Sequence, residues 1–315
     1  MKETVRTLAL FLLAASFFGL AGCRDGGTTK DGPADGPEDG KTVVRSDDSL
    51  PKTAPESELV FFDCSFANDV SEELGWGNFE LHAEKTAEGA AGSYRFRELN
   101  GSFVAPVFRF EDGGEILKEC RRILAESGIF AQNGTWEKTE GIPEDLGFSV
   151  AARYEDGARL SVSDNAATHF DRETVEKLAS LFSRASGAEA FYDTDELISV
   201  HYEVYERDVY HFSADVYRTP EGTVAYGIYE KDGDGSSTND GETDGAILSE
   251  IGKIYRENGM DGIQEFPRRE GDVYYTLMLA FGKRQERVAS NMAISDGQLA
   301  ALKGVRETIL SLLAG

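Results

Sequence analysis

The sequence predicts an α+β fold of two tandem similar units, each a mainly antiparallel sheet with two helices in the order strands, helix, two strands, helix. Three observations predict it. A helical pattern occurs twice at constant offset: Ile116-Leu117-Lys118-Glu119-Cys120-Arg121-Arg122-Ile123, running on to Gly128, and Ile247-Leu248-Ser249-Glu250-Ile251-Gly252-Lys253-Ile254, running on to Gly259, are identical at six of thirteen positions. An alternating apolar run follows each copy, Phe148, Val150, Ala152 and Tyr154 in one and Tyr275, Leu277, Leu279 and Phe281 in the other. Such alternation marks a strand with one buried face. A hairpin precedes each helix, turned by Asn100-Gly101 in the first unit and by Pro220-Glu221-Gly222 in the second.

At the start of the chain, Lys2 and Arg6 form a basic opening and Leu8 to Gly19 an apolar stretch too short to cross a bilayer as a stable helix. Residues 1–22 therefore read as a signal peptide. Leu20-Ala21-Gly22-Cys23, directly behind the apolar stretch, resembles the lipobox of bacterial lipoprotein precursors. The resemblance implies cleavage before Cys23, a diacylglycerol on its sulfur, contact with the membrane through the lipid, and an extracytoplasmic location on the cell surface or periplasmic side. Two or more acyl chains suffice for stable anchoring. Residues 23–57 then read as the lipidated cysteine and a disordered acidic tether, because Asp25-Gly26-Gly27, Asp31-Gly32-Pro33, Asp35-Gly36-Pro37 and Asp39-Gly40 offer little to bury. As a flexible coil the tether averages about 30 Å end to end.

The first unit, 58–187, opens on the β-rich Leu59-Val60-Phe61-Phe62. Its first helix buries Ile116, Cys120, Ile123 and Leu124 and ends at Gly128, suited to a C-cap. A second strand leads to Asn165, and a closing helix capped by Asp171 buries Val175, Leu178 and Phe182. The second unit, 188–315, repeats the plan after a junction near 185–195. There Ile247, Ile251, Ile254 and Tyr255 share a face that ends at Gly259, a strand leads to Asn291, and Ser295 caps a helix that buries Leu299, Leu302 and Ile309. The stretch 148–182, with Tyr154-Glu155-Asp156-Gly157 leading into Asp164-Asn165, is similar to segments of uncharacterised lipoproteins from anaerobic bacteria. That resemblance covers about a tenth of the chain and implies no activity.

Composition bounds the partners. The formal charge is −25, and removal of residues 1–22 takes it to −26, a polyanion that repels phosphate backbones and excludes nucleic acid as a partner. With 40% hydrophobic residues, 19 Phe and 12 Tyr, the chain still has ample material for a core. If Cys23 is acylated, Cys64 and Cys120 remain, and outside the cytoplasm such a pair can oxidise to a disulfide. Two buried thiols acting as small hydrophobes is the other reading, and both stand open.

Searches for chemistry return no Gly-x-Ser-x-Gly elbow, His-Glu-x-x-His, Cys-x-x-Cys or phosphate loop, and Gly75-Trp76-Gly77 lacks the third glycine of a dinucleotide fingerprint. No cofactor is expected. The acidic run Asp232 to Asp240 resembles the start of an EF-hand loop, but Ser237 stands where glycine makes the sharp turn and Thr243 where a bidentate Glu is needed. It reads as a solvated insertion, with no metal.

The candidate site is a sheet face of the second unit. Ile198, Val200, Tyr202 and Val204, with Tyr210, Phe212, Ala214 and Val216, form the inward set. His201, Glu203, Tyr205, His211, Asp215 and Tyr217 then face outward, joined by Tyr229 from the next strand. A loop centred on Arg207 sets Glu203 opposite His211 and His201 opposite Ser213. In the first unit Arg95 and Arg97 project opposite to Tyr94 and Phe96, beside His82, as an anion-friendly spot or one screened by neighbouring acids; His169 reads as structural. The functional expectation is a non-enzymatic, lipid-anchored extracytoplasmic binding or interaction protein, its partner an unidentified protein or glycan. Two alternatives accompany it: a carboxylate-dependent extracytoplasmic hydrolase of glycans or peptides, and a structural or assembly accessory of the cell envelope.

Overall fold

Alternating burial sets the strands. In a computed structural model of the chain, Phe148–Tyr154 alternates buried and exposed at every position, and Leu59–Ala67 buries Phe62, Cys64 and Phe66 on one face. The structure describes residues 41–314 apart from 69, 72–73, 75–76, 99–104, 143–146, 207–208, 234, 261–272, 283 and 291–294. The expected signal peptide, Cys23, the Asn100-Gly101 turn, Arg207 and Asn291 lie outside the described residues.

The elements run β1 (Thr42–Ser46), β2 (Leu59–Ala67), β3 (Gly77–Lys85), β4 (Ala90–Glu98), β5 (Phe108–Asp112), α1 (Glu115–Glu126), β6 (Thr135–Thr139), β7 (Phe148–Tyr154), β8 (Arg159–Asp164), α2 (Arg172–Ala185) and α3 (Ala188–Tyr192). They continue through β9 (Leu197–Glu206), β10 (Tyr210–Arg218), β11 (Val224–Asp232), β12 (Gly235–Thr243), α4 (Ala246–Glu257), β13 (Tyr274–Phe281), β14 (Arg284–Ser290) and α5 (Asp296–Leu310). The result is a mixed α+β fold with two mostly antiparallel sheets. An eight-stranded sheet has the order β1-β6-β8-β7-β2-β3-β4-β5, and a six-stranded sheet the order β12-β11-β10-β9-β13-β14. Only the β6–β8 pair is parallel among the described pairs.

Each sheet carries its helices on one face, over a separate core. In the first, Phe62, Phe66, Phe79, Val150 and Val162 pack with Ile116, Cys120, Leu124, Val175, Leu178 and Phe182 from α1 and α2. In the second, Val200, Tyr202, Phe212, Ala214 and Leu277 pack with Ile247, Ile251, Leu302, Val305 and Ile309 from α4 and α5. Burying one such large apolar side chain contributes about 1.5–3 kcal/mol, so a helix that inserts several is held mainly by packing. The expected caps form. Asp171 accepts from the Thr174 amide, Ser295 and Gln298 make a reciprocal capping box, and Gly128 and Gly259 take the left-handed conformation just past α1 and α4.

Three expectations change. Residues 41–57 do not belong to a disordered tether: β1 pairs with β6 from Thr42↔Thr139 to Ser46↔Thr135, and the Asn133 side chain donates to Pro51 O at 2.9 Å. Every β1 side chain is exposed, so no apolar alternation announced the strand, although Thr42, Val43 and Val44 are β-branched. The boundary at 187/188 also moves. Ala188 is buried in the first core, and Phe191 and Tyr192 pack against it, so the chain leaves that core after α3. The acidic run from Asp232 is a hairpin, with Asp232 opposite Gly235 and β12 paired to β11 as far as Thr243, in place of a solvated insertion. Its alternation sends Ser236, Thr238 and Asp240 to one face and Ser237 and Asn239 to the other, a spread arrangement unlike a loop wrapped around one ion.

Candidate functional site

From Val200 onward parity holds on the second sheet, and the register shifts; at the start of β9 a bulge puts Leu197 in the core in place of the expected Ile198. Val200, Tyr202 and Val204 point into the helix-covered core, as do Phe212, Ala214 and Val216, so the seven predicted residues share the opposite face. The pairing sets His201 opposite Asp215, Glu203 opposite Ser213 and Tyr205 opposite His211, a slip of two residues from the expected Glu203–His211 and His201–Ser213 pairs. The chain reverses between Glu206 and Tyr210, one residue later than expected, and a two-residue slip leaves every side chain on its own face.

The slip decides who bonds to whom. His201 Nδ1 and Asp215 Oδ1 lie 2.9 Å apart across the strands, and His211 Nε2 reaches diagonally to Glu203 Oε1, also at 2.9 Å. A carboxylate only accepts, so the facing nitrogen of each imidazole donates. In the neutral ring this leaves a lone pair on Nε2 of His201 and on Nδ1 of His211. Tyr205 and Tyr229 flank the His211 ring edge-on, with centroids at 5.6 and 5.3 Å. Tyr217 stands further along, opposite Ser199 and Ala225. Access is graded across the face: the His201 side chain is 10% exposed, Asp215 27%, His211 30% and Glu203 35%. Ser199, Thr276, Met278 and Ala280, which share this face on β9 and β13, are buried. The reachable part is the half around Tyr205, His211, Glu203 and Tyr229.

The corresponding face of the first sheet resolves the arginine question toward screening. Arg95 and Arg97 both pair with Glu80, at 3.2 and 2.8 Å. His82 lies opposite Asp63, with Nδ1 4.0 Å from Oδ2 and the ring edge-on to Phe61 at 5.4 Å, while Arg153 sits over the other side chain of that stack, Phe61, at 4.4 Å. Loss of surrounding water pushes the Asp63 carboxyl above its ordinary range, His82 opposing and Glu80 adding to the shift. His169 is structural: its Nε2 lies 3.0 Å from Asp164 Oδ2, whose other oxygen accepts from the Ala166 amide.

Cys64 and Cys120 are buried free thiols, so the disulfide is not made in this structure. Burial pushes both thiols well above their ordinary range, which suits inert core side chains. Sequence reasoning missed a cluster on the helix-covered side. Tyr210 Oη donates to Glu230 Oε1 at 2.6 Å, and Arg306 of α5 bonds to Tyr210 Oη and lies 5.1 and 5.2 Å over the Tyr210 and Phe212 rings. An arginine between Val305 and Glu307 on a helix gave no signal that it would reach a strand pair. An open groove of about 300 Å³ between α1 and α2 is lined by Glu119, Arg122, Glu176 and Lys177 among others. Two of its cations are already paired, Arg122 with Glu119 and Glu126 and Lys177 with Glu173, and Arg184 donates to Ser180 O. Among the described residues no helix is long and apolar enough to cross a membrane.

No protein-family model matches the sequence, and no curated protein and no solved structure matches it.

Proposed function

We propose that this chain is a lipid-anchored extracytoplasmic binding protein built from two tandem copies of one α+β unit, and that it engages its partner through the face of the second sheet opposite the α4–α5 core. The observation that carries the reading is the tyrosine-flanked His211–Glu203 pair beside His201–Asp215, on the face of the sheet opposite its α4–α5 core. Core packing does not account for three half-buried tyrosines and two ordered imidazole–carboxylate pairs there. Such aromatic groups present large contact area at low entropy cost.

Duplication is supported by three correspondences. The order β5-β4-β3-β2-β7-β8 in one sheet parallels β12-β11-β10-β9-β13-β14 in the other. Both sheets carry a register shift at the same joint, between Leu59 and Phe61 where β2 meets β7, and between Ala280 and Phe281 where β13 meets β9. Bulges are specific features that duplicated units retain. Aligned on that joint, Asp63·His82 takes the place of His201·Asp215 with the two residue types exchanged between strands. The cross-strand imidazole–carboxylate pair is thus a property of the unit, tightened in the second copy.

The lipid anchor rests on the lipobox-like string ending in Cys23. Cell fractionation with labelled fatty acid tests it: wild-type protein should carry label and sediment with membranes, and Cys23→Ala should lose both. Peptide and glycan arrays probed with the protein test the binding reading. Wild type should bind and Tyr229→Ala should bind less at unchanged melting temperature; binding indifferent to Tyr205, Tyr217 and Tyr229 together would move the function away from this face.

A further inference from the structure

We infer, resting on the binding reading above, that this face takes a basic peptide segment of a partner protein, its lysine or arginine side chains seated among Tyr205, Tyr229, Glu203 and His211. The groups displayed are overwhelmingly electron-rich. On β9 to β12 the face carries four carboxylates, Glu203, Asp215, Asp240 and Glu242, and among the described residues of those strands one cation, Lys231, which lies opposite His211 at the end of the seat. Asp240 and Glu242 lie opposite Gly227 and Ala225, so they share the face with Asp215 and Tyr217 and are exposed. The imidazoles add acceptors, because each has spent its donor on a carboxylate and in the neutral ring keeps a lone pair on its other nitrogen.

The tyrosine rings add negative π faces, which attract ammonium and guanidinium groups. A neutral sugar gains no charge attraction from the carboxylates here, whereas a lysine or arginine side chain is donor-only and forms charge-assisted bonds to them. The rim carboxylates Asp240 and Glu242 lie on the outer strand, where they steer a cation inward to the more enclosed Glu203 and Asp215. The net charge of −25 favours the same approach at long range. Long-range attraction alone would not distinguish this face from the rest of an acidic surface, and the test is built on that difference.

The probe is a capped peptide of alternating lysine and glycine, titrated calorimetrically at about 0.15 M salt, where charges further apart than roughly 8 Å are largely screened. The same peptide with its lysines acetylated is the neutral control. Binding of the first and not the second is expected. Glu203→Gln and Tyr229→Ala should each weaken it about tenfold. Glu250→Gln, the same charge change at an exposed position of α4, should leave it unchanged. Glu203→Gln retains an oxygen acceptor for His211, so loss of binding there reports charge and not misfolding. Equal losses in Glu203→Gln and Glu250→Gln would mean general attraction to a polyanion and overturn the inference. Spermidine binding as tightly as the peptide would overturn the peptide as occupant. If the acetylated peptide or a neutral glycan binds in a Tyr229-dependent way, the cationic inference falls while the binding face stands. Failure of every probe, with arrays also blank, would remove both.

Discussion

Asn133 shows how much one buried polar side chain can hold. It is completely buried; its Nδ2 donates to Pro51 O at 2.9 Å and Arg159 O at 2.7 Å, and its Oδ1 accepts from the Ser161 amide at 2.8 Å. It ties the entry segment to β8. Asn133→Ala would strip those three backbone groups of their partner around a fully buried side chain, at a cost of about 2–4 kcal/mol. Urea unfolding should show the midpoint falling without a change in slope. The two core thiols make a second prediction at this scale. Because burial raises both Cys64 and Cys120, neither should react with iodoacetamide at pH 8 in the folded protein, and both should react once it is unfolded. Mass spectrometry reads the outcome. A species two hydrogens lighter that resists alkylation until reduced would show that the pair oxidises after all.

At the scale of single elements, caps and register decide. The Asp171 carboxylate accepts from Thr174 at the start of α2, and those bonds hold it below the usual carboxylate range. Its contribution is therefore complete above the unfolded-state value near about 3.9 and is lost as pH falls through the lower folded-state value. Asp171→Ala should cost about 1 kcal/mol at neutral pH, and the difference from wild type should shrink in acid; thermal melts at pH 7 and pH 2.5 measure both. For β9 and β10 the observable is coupling. A double-mutant cycle on His201→Gln and Asp215→Asn should return a favourable interaction of about 1 kcal/mol, while the pair His201→Gln and Ser213→Ala, from the neighbouring row, should be close to additive. Additivity in the first cycle would contradict the register.

The whole molecule is strongly acidic, and its ion pairs leave most of that charge uncompensated. With a formal charge of −25, self-repulsion opposes the compact state and is relieved by screening. The melting temperature should rise by roughly 2–4 °C between about 0.02 and 0.3 M sodium chloride, the equivalent of about 1 kcal/mol in a chain of this size. A fall would mean that attractive surface pairs such as Arg122–Glu126 outweigh the repulsion. Exposed pairs of that kind are worth little individually, which is why the opposite sign is expected.

Local periodicity by itself determined the α+β class, both amphipathic helices with their glycine ends, the caps at Asp171 and Ser295, and the parity that puts His201, His211 and the three tyrosines on one face. These follow from repeats of 2 and 3.6 residues, which any window of the chain contains. Tertiary structure alone decided what needs a partner from elsewhere. Whether Ser213 or Asp215 lies opposite His201 depends on where the β9–β10 reversal falls, and a slip of two residues changes the partner while leaving the hydrophobic pattern intact. β1 and β12, with few buried side chains, are strands because a neighbouring edge satisfies their backbone, and that neighbour, β6 or β11, is not written in their own residues. Arg306 joins the Tyr210–Glu230 pair from 96 and 76 residues away, beyond the reach of any local pattern.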